Sequence, residues 1–137
     1  MNIILDANII IASLLGSRGK LTILTSQNHT FYTPKKIIGE IKRYKEEICG
    51  KINCSSEEFD INLEALMFFI KIVKYAKYEE FINKAKIGIM ERDIEDVDYI
   101  ACALAVNADF IWTEDKDFLN QSLVNVKTTE QFIEEDK

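Results

Sequence analysis

The chain has 137 residues, the size of one ordinary domain, and its 47% hydrophobic against 29% charged residues exclude a disordered or low-complexity polymer. A formal net charge of −6 excludes binding of a polyanion through overall basicity, so any such binding needs local positive charge. One Pro and five Gly exclude a linker-rich architecture, and an odd count of three cysteines points to free thiols.

Asn2 to Leu5 reads as a short buried strand, because Ile3, Ile4 and Leu5 form an unbroken apolar run that stops at Asp6. The apolar start lacks the basic leader of a signal peptide, and Asp6 and Asn8 interrupt it. With no stretch near a bilayer span, a cytoplasmic protein with no membrane segment is expected. A helix is predicted over Ile9 to Leu15, broken at Gly16-Ser17-Arg18-Gly19, and a second over Leu21 to Ser26.

Phe31-Tyr32 reads as the second strand, and Thr33-Pro34 as the N-cap and first residue of a helix reaching about Ile48. Its apolar stripe is Ile37, Ile41, Tyr44 and Ile48. Ser55 and Glu58 form a capping-box pattern that opens a helix to about Phe69. Ile70 to Tyr75 is a third strand, Glu79 to Met90 a helix, and Glu91 to Glu95 an acidic loop. A helix over Asp96 to Asn107, strands at Phe110 to Trp112 and Val124 to Lys127, and a terminal helix over Thr129 to Glu134 complete the order.

Strands alternating with helices imply an α/β fold with a mostly parallel sheet, here a single domain over residues 1–137. Sites in such sheets form at the carboxyl ends of the strands, where the strand order switches. That directs attention to Asp6, to the Thr113 to Asp117 loop, and to the helix starts facing them.

A carboxylate directly after three buried residues, such as Asp6, is either an N-cap or a member of a paired or cation-bound site. Glu40 flanks the buried stripe of its helix, and equally stands four residues from Lys36, a common surface pair. Asp93, Glu95, Asp96 and Asp98 crowd one helix start, more acids than capping needs, which suggests a nearby cation. Cys49 and Cys54 with the sole histidine, His29, make a poor zinc set, and Cys102 reads as a core residue.

Three segments carry a resemblance to a known family: IILDANIIIASLL, TPKKIIGEIKRY, and DIEDVDYIACALAVNADFIWTEDKDF. Together they resemble PIN-domain nucleases, and the last block is the most specific, with an acid, Tyr and Ala leading into a strand and then Thr-x-Asp. The resemblance implies a PIN-like doubly wound fold, with a five-stranded parallel sheet between helices. It makes Asp6, Glu40, Asp96 and Asp115 the catalytic, metal-binding acids, and Asn8 and Thr113 polar auxiliaries. Asp93 and Asp117 become auxiliary candidates, whereas Asp98 falls where the family often has a small residue or Pro and receives no catalytic role.

The implied activity is hydrolysis of RNA phosphodiester bonds. Oxygen ligands of this kind suit Mg²⁺ or Mn²⁺, and with His29 the only histidine, metal-activated water is the expected nucleophile. Four site acids would account for −4 of the −6, leaving −2, and RNA would meet local cations such as Arg18, Lys20, Lys35, Lys36, Arg92 and Lys116. Many small members of the family are VapC-type toxins, so an antitoxin protein is the implied partner beside RNA. A homodimer is expected, with the apolar Ala65 to Ile70 segment either core or part of its surface. The alternatives are a catalytically inactive PIN-like module that binds RNA or protein, and a phosphatase, for which Asp6-Ala7-Asn8 lacks the second acid of an Asp-x-Asp pair.

Overall fold

The structure is a computed structural model that describes residues 1–89, 96–115, 118 and 121–135. The chain runs β1 (Asn2–Leu5), α1 (Ala7–Leu14), α2 (Arg18–Thr25), β2 (Thr30–Pro34), α3 (Ile37–Arg43), α4 (Lys45–Ile52) and α5 (Ser56–Met67). It continues through β3 (Ile70–Val73), α6 (Tyr75–Tyr78), a 3₁₀ turn at Glu79–Phe81, α7 (Ile82–Ile89), α8 (Val97–Ala105), β4 (Phe110–Trp112), β5 (Val126–Lys127) and α9 (Thr129–Glu135).

All strand pairs are parallel, and the sheet order is β3-β2-β1-β4-β5. The apolar run Ile3-Ile4-Leu5 therefore occupies the central strand and is fully buried. Covering each such side chain stabilises the fold by about 1.5–3 kcal/mol. The chain first builds outward from β1 to β2 and β3, then crosses back to β4 and β5. The order reverses between β1 and β4, where open parallel sheets place their crevice. Helix α8 packs against β1, β2 and β4, which brings its N-terminal end toward that crevice. Among the described residues no single helix is long and apolar enough to cross a membrane.

Several local expectations give way to tertiary structure. Thr33 and Pro34 do not open a helix. They extend β2, with Thr33 in register with Ile72 and Pro34 with Val73. The buried Thr33 hydroxyl donates to the Leu5 carbonyl at 3.0 Å, and Lys35 N–H bonds Val73 at 3.0 Å, so the sheet holds the backbone until the helix starts at Ile37. The helix expected to reach Ile48 breaks at Tyr44 (φ −95°, ψ 4°), and Tyr44 leaves the apolar stripe to stand 48% exposed. Tyr75 belongs to α6 and not to β3, and β5 is shorter than its apolar sequence suggested. The capping box forms as expected, with Ser55 and Glu58 each accepting the other's backbone N–H at 3.1 Å. In the Ala65 to Ile70 segment Leu66 and Ile70 are core, while Phe68 is 83% exposed.

Gly16 carries the α1–α2 turn at φ +97°, a conformation a side chain would strain, whereas Gly19 sits inside α2. The three cysteines are free thiols, and burial pushes Cys102 up to about 12. Asp93, Arg92, Glu95, Lys116 and Asp117, with the acidic loop they belong to in part, lie outside the described residues.

Candidate active site

Asp6 is placed by the end of β1 and the start of α1. It is the N-cap of α1, in extended conformation, and its Oδ1 accepts the Ala7 N–H at 2.7 Å. Its Oδ2 accepts from Asn8 Nδ2 at 2.6 Å and from the Thr113 hydroxyl at 2.7 Å. Burial lifts its carboxyl above the ordinary 3.8, the hydrogen bonds from Thr113 and Ala7 oppose that rise, and the negative fields of Asp115 and Glu40 add to it. The buried acid is thus satisfied in hydrogen bonds and unsatisfied in charge.

Thr113 is fully buried at the end of β4 and joins two strands' worth of acids. Its Oγ donates to Asp6 and accepts the Asp115 N–H at 2.9 Å, with Asn8 Nδ2 at 3.3 Å. The loop is anchored on its far side too: Glu114 accepts from the backbone N–H of Thr129 at 2.8 Å and also from its hydroxyl. Thr129 Oγ in turn accepts from Trp112 Nε1 at 2.9 Å. The Thr-x-Asp sequence therefore fixes Asp115 against Asp6 across the β1–β4 crevice.

Glu40 sits on α3 and is oriented by a residue of α8. The Tyr99 hydroxyl donates to Glu40 Oε2 at 2.7 Å. Burial and the neighbouring Glu40 carboxylate both push the Tyr99 phenol upward, so it stays a donor. Lys36 stands 3.4 Å from Glu40 Oε1, the expected i,i+4 pair, and 3.5 Å from Asp98 Oδ1. Asp98 also accepts from the Tyr78 hydroxyl at 2.6 Å, which gives it a bracing role. Asp96 caps α8 by position, yet its side chain makes no capping hydrogen bond.

Asp6, Glu40, Asp96 and Asp115 line one cavity of about 550 Å³, together with Asn8, Tyr99, Arg43, Tyr44 and Lys51 among others. Sequence reasoning found the four acids and Asn8. It read Tyr99 only as core and missed that its hydroxyl holds Glu40; an aromatic with a polar tip one helical turn from an acid was the available signal. It also missed the cations. Among the described residues the cavity's basic lining is Arg43 and Lys51, whereas Lys36 is engaged behind Glu40. His29 precedes β2, near the opposite end of the sheet, where it packs edge-on to Phe132 at 5.3 Å.

The donors facing the cavity are hard carboxylate oxygens, chemically suited to a divalent cation. As they stand, no three His, Cys, Asp or Glu side chains among the described residues are arranged to hold a metal ion. Carboxylates brought closer would repel one another; in Asp6, burial chiefly and then the fields of Asp115 and Glu40 already disfavour the charged form.

Fold and site together define an α/β domain with an acidic cavity at the switch in strand order. The chain belongs to the PIN-domain family, whose model matches residues 4–136, and PIN domains are generally nucleases. Comparison with curated protein sequences gives no match. Among solved structures the chain is similar to one in the crystal structure of VapBC2 from Rickettsia felis bound to a DNA fragment from its promoter. The TM-score is 0.74 at 15% identity, over 93% of this chain and 98% of that one, a likeness of fold.

Proposed function

We propose that this protein is a metal-dependent endoribonuclease that hydrolyses RNA phosphodiester bonds, and that it acts as the toxin of a toxin–antitoxin pair. The observation that carries the nuclease reading is the convergence of Asp6, Glu40, Asp96 and Asp115 on one cavity at the β1–β4 switch point. The family membership supports it, and the VapBC2 likeness supports the choice of an antitoxin as partner.

Asp6, Glu40, Asp96 and Asp115 would hold Mg²⁺ or Mn²⁺, which when bound polarises the phosphate, activates water and stabilises the leaving oxygen. The chain's own groups prepare that site. Thr113 and Asn8 hold Asp6 in one orientation, and the Thr113 hydroxyl tethers the backbone of Asp115. Tyr99 holds one oxygen of Glu40 and leaves the carboxylate aimed at the cavity wall it lines. A bound cation would offset both the burial of the Asp6 charge and the negative fields of Asp115 and Glu40.

The test is cleavage of single-stranded RNA by wild type and Asp6→Asn with Mn²⁺ and with chelator. Cleavage that needs both Mn²⁺ and Asp6 supports the reading. An Asp6→Asn protein that cuts at the wild-type rate would refute it, and a folded wild type that binds RNA without cutting would favour a non-catalytic PIN module.

A further inference from the structure

The cavity is lined by more than its acids. Arg43 closes α3, three residues beyond Glu40, and side chains at that spacing are neighbours on one helix face, with about 5–6 Å between their Cβ atoms. Lys42, one position earlier, lines a different groove with Lys45, Asp60 and Leu63 on the α5 side. The two adjacent cations are thus sorted, and the one that lines the acids' cavity is the arginine. A cation at a helix carboxyl end also complements the backbone dipole, but Lys42 supplies that role without facing the acids. The other cavity cation, Lys51, is bridged to Glu47 at 3.3 Å, whereas Arg43 has no ion pair among the described residues.

Beside Arg43 stands Tyr44. The chain breaks α3 from α4 at this residue, and the break turns its ring out of the apolar stripe and into the cavity lining, 48% exposed. An exposed ring next to an arginine, at the end of an acidic cavity, is the pairing by which proteins hold a single strand: the guanidinium takes a phosphate and the ring stacks a base.

We propose that Arg43 and Tyr44 form the substrate-positioning subsite of this cavity, with Arg43 binding the phosphate adjacent to the one hydrolysed and Tyr44 stacking the intervening base of single-stranded RNA. The proposal rests on the nuclease reading above and extends it to residues outside the acid cluster. It also answers the net charge of −6, because one arginine facing the acids provides positive charge where the strand must pass.

The experiment measures a fluorescent single-stranded oligoribonucleotide, in cleavage with Mn²⁺ and, in the Asp115→Asn background, in binding by anisotropy across a salt series. Arg43→Gln is expected to raise KM and Kd roughly tenfold with kcat little changed, and to lower the slope of log affinity against log salt by about 0.7, the value for one phosphate contact on a single strand. Arg43→Lys should restore the slope. Tyr44→Ala should weaken binding roughly tenfold at unchanged slope, and Tyr44→Phe should not. Arg43→Gln and Tyr44→Ala proteins that keep wild-type KM, Kd and salt slope overturn the proposal while wild-type cleavage leaves the nuclease reading standing. If folded wild type neither cuts nor binds RNA, both fall together. If Tyr44→Phe is as weak as Tyr44→Ala, stacking is refuted and only the phosphate contact stands.

Discussion

Replacing Thr113 by Val removes one hydroxyl, at nearly constant volume, from a fully buried position. That hydroxyl donates to the Asp6 carboxylate at 2.7 Å and accepts the Asp115 N–H at 2.9 Å. A hydrogen bond to a charged group contributes about 1.5–3 kcal/mol and a neutral one about 1 kcal/mol, so the metal-free protein should lose roughly 2–4 kcal/mol near neutral pH. The loss should depend on pH. The folded-state carboxyl of Asp6 is raised above 3.8, so its contribution to stability is fully present below 3.8 and is lost as pH rises through the folded value. The Thr113 bond favours the charged form, so its removal raises the folded value further and prolongs that loss to higher pH. The cost of Thr113→Val should therefore be largest near neutrality and smaller at a pH below the folded value of Asp6, where the charged form that the bond favours is lost. Urea unfolding of wild type, Thr113→Val and Thr113→Ser at the two pH values, with chelator, measures it. Equal costs at both pH values would refute the linkage through Asp6, and Thr113→Ser behaving like Thr113→Val would show that the methyl, not the hydroxyl, matters.

Asp6→Asn should abolish cleavage and also destabilise the metal-free protein, because one amide oxygen cannot accept from Ala7, Asn8 and Thr113 as the two carboxylate oxygens do; an unchanged melting temperature would contradict the latter. Tyr99→Phe should leave the fold intact and weaken divalent-cation affinity about 10–100-fold by freeing Glu40, read by titration of the melting temperature with Mn²⁺. Asp98→Asn should cost about 1–3 kcal/mol through its contacts with Tyr78 and Lys36 while leaving cation affinity near wild type, since Asp98 braces the helix and does not line the cavity.

The sheet was legible because its central strands are nearly pure apolar runs: Asn2 to Leu5 and Phe110 to Trp112 were read at their observed bounds. The acids followed from the rule that places sites at strand ends, which picks out Asp6 and Asp115 without side-chain detail. Thr33-Pro34 misled because local capping preference competes with ladder and hydroxyl bonds to Val73 and Leu5, partners distant in sequence. Tyr44 misled because helical spacing assumes one continuous helix, and the break at that residue turns its ring out of the stripe while Ile48 beyond it stays buried. Tyr99 and Arg43 were hidden for a related reason. Periodicity says which face a residue occupies, but not that the face of α8 meets Glu40, nor that Arg43 and Lys42 part to opposite grooves.

The account's central claim is that the cavity acids form a divalent-cation site, and a thermal melt tests it most directly. Chelator-treated wild type and Asp96→Asn are melted with and without Mn²⁺, because a ligand of the native state must raise its stability by mass action. The account predicts a rise with Mn²⁺ concentration for wild type and little or none for Asp96→Asn. A wild type whose melting temperature is unmoved by millimolar-range Mn²⁺, or a mutant that responds as wild type does, would contradict it.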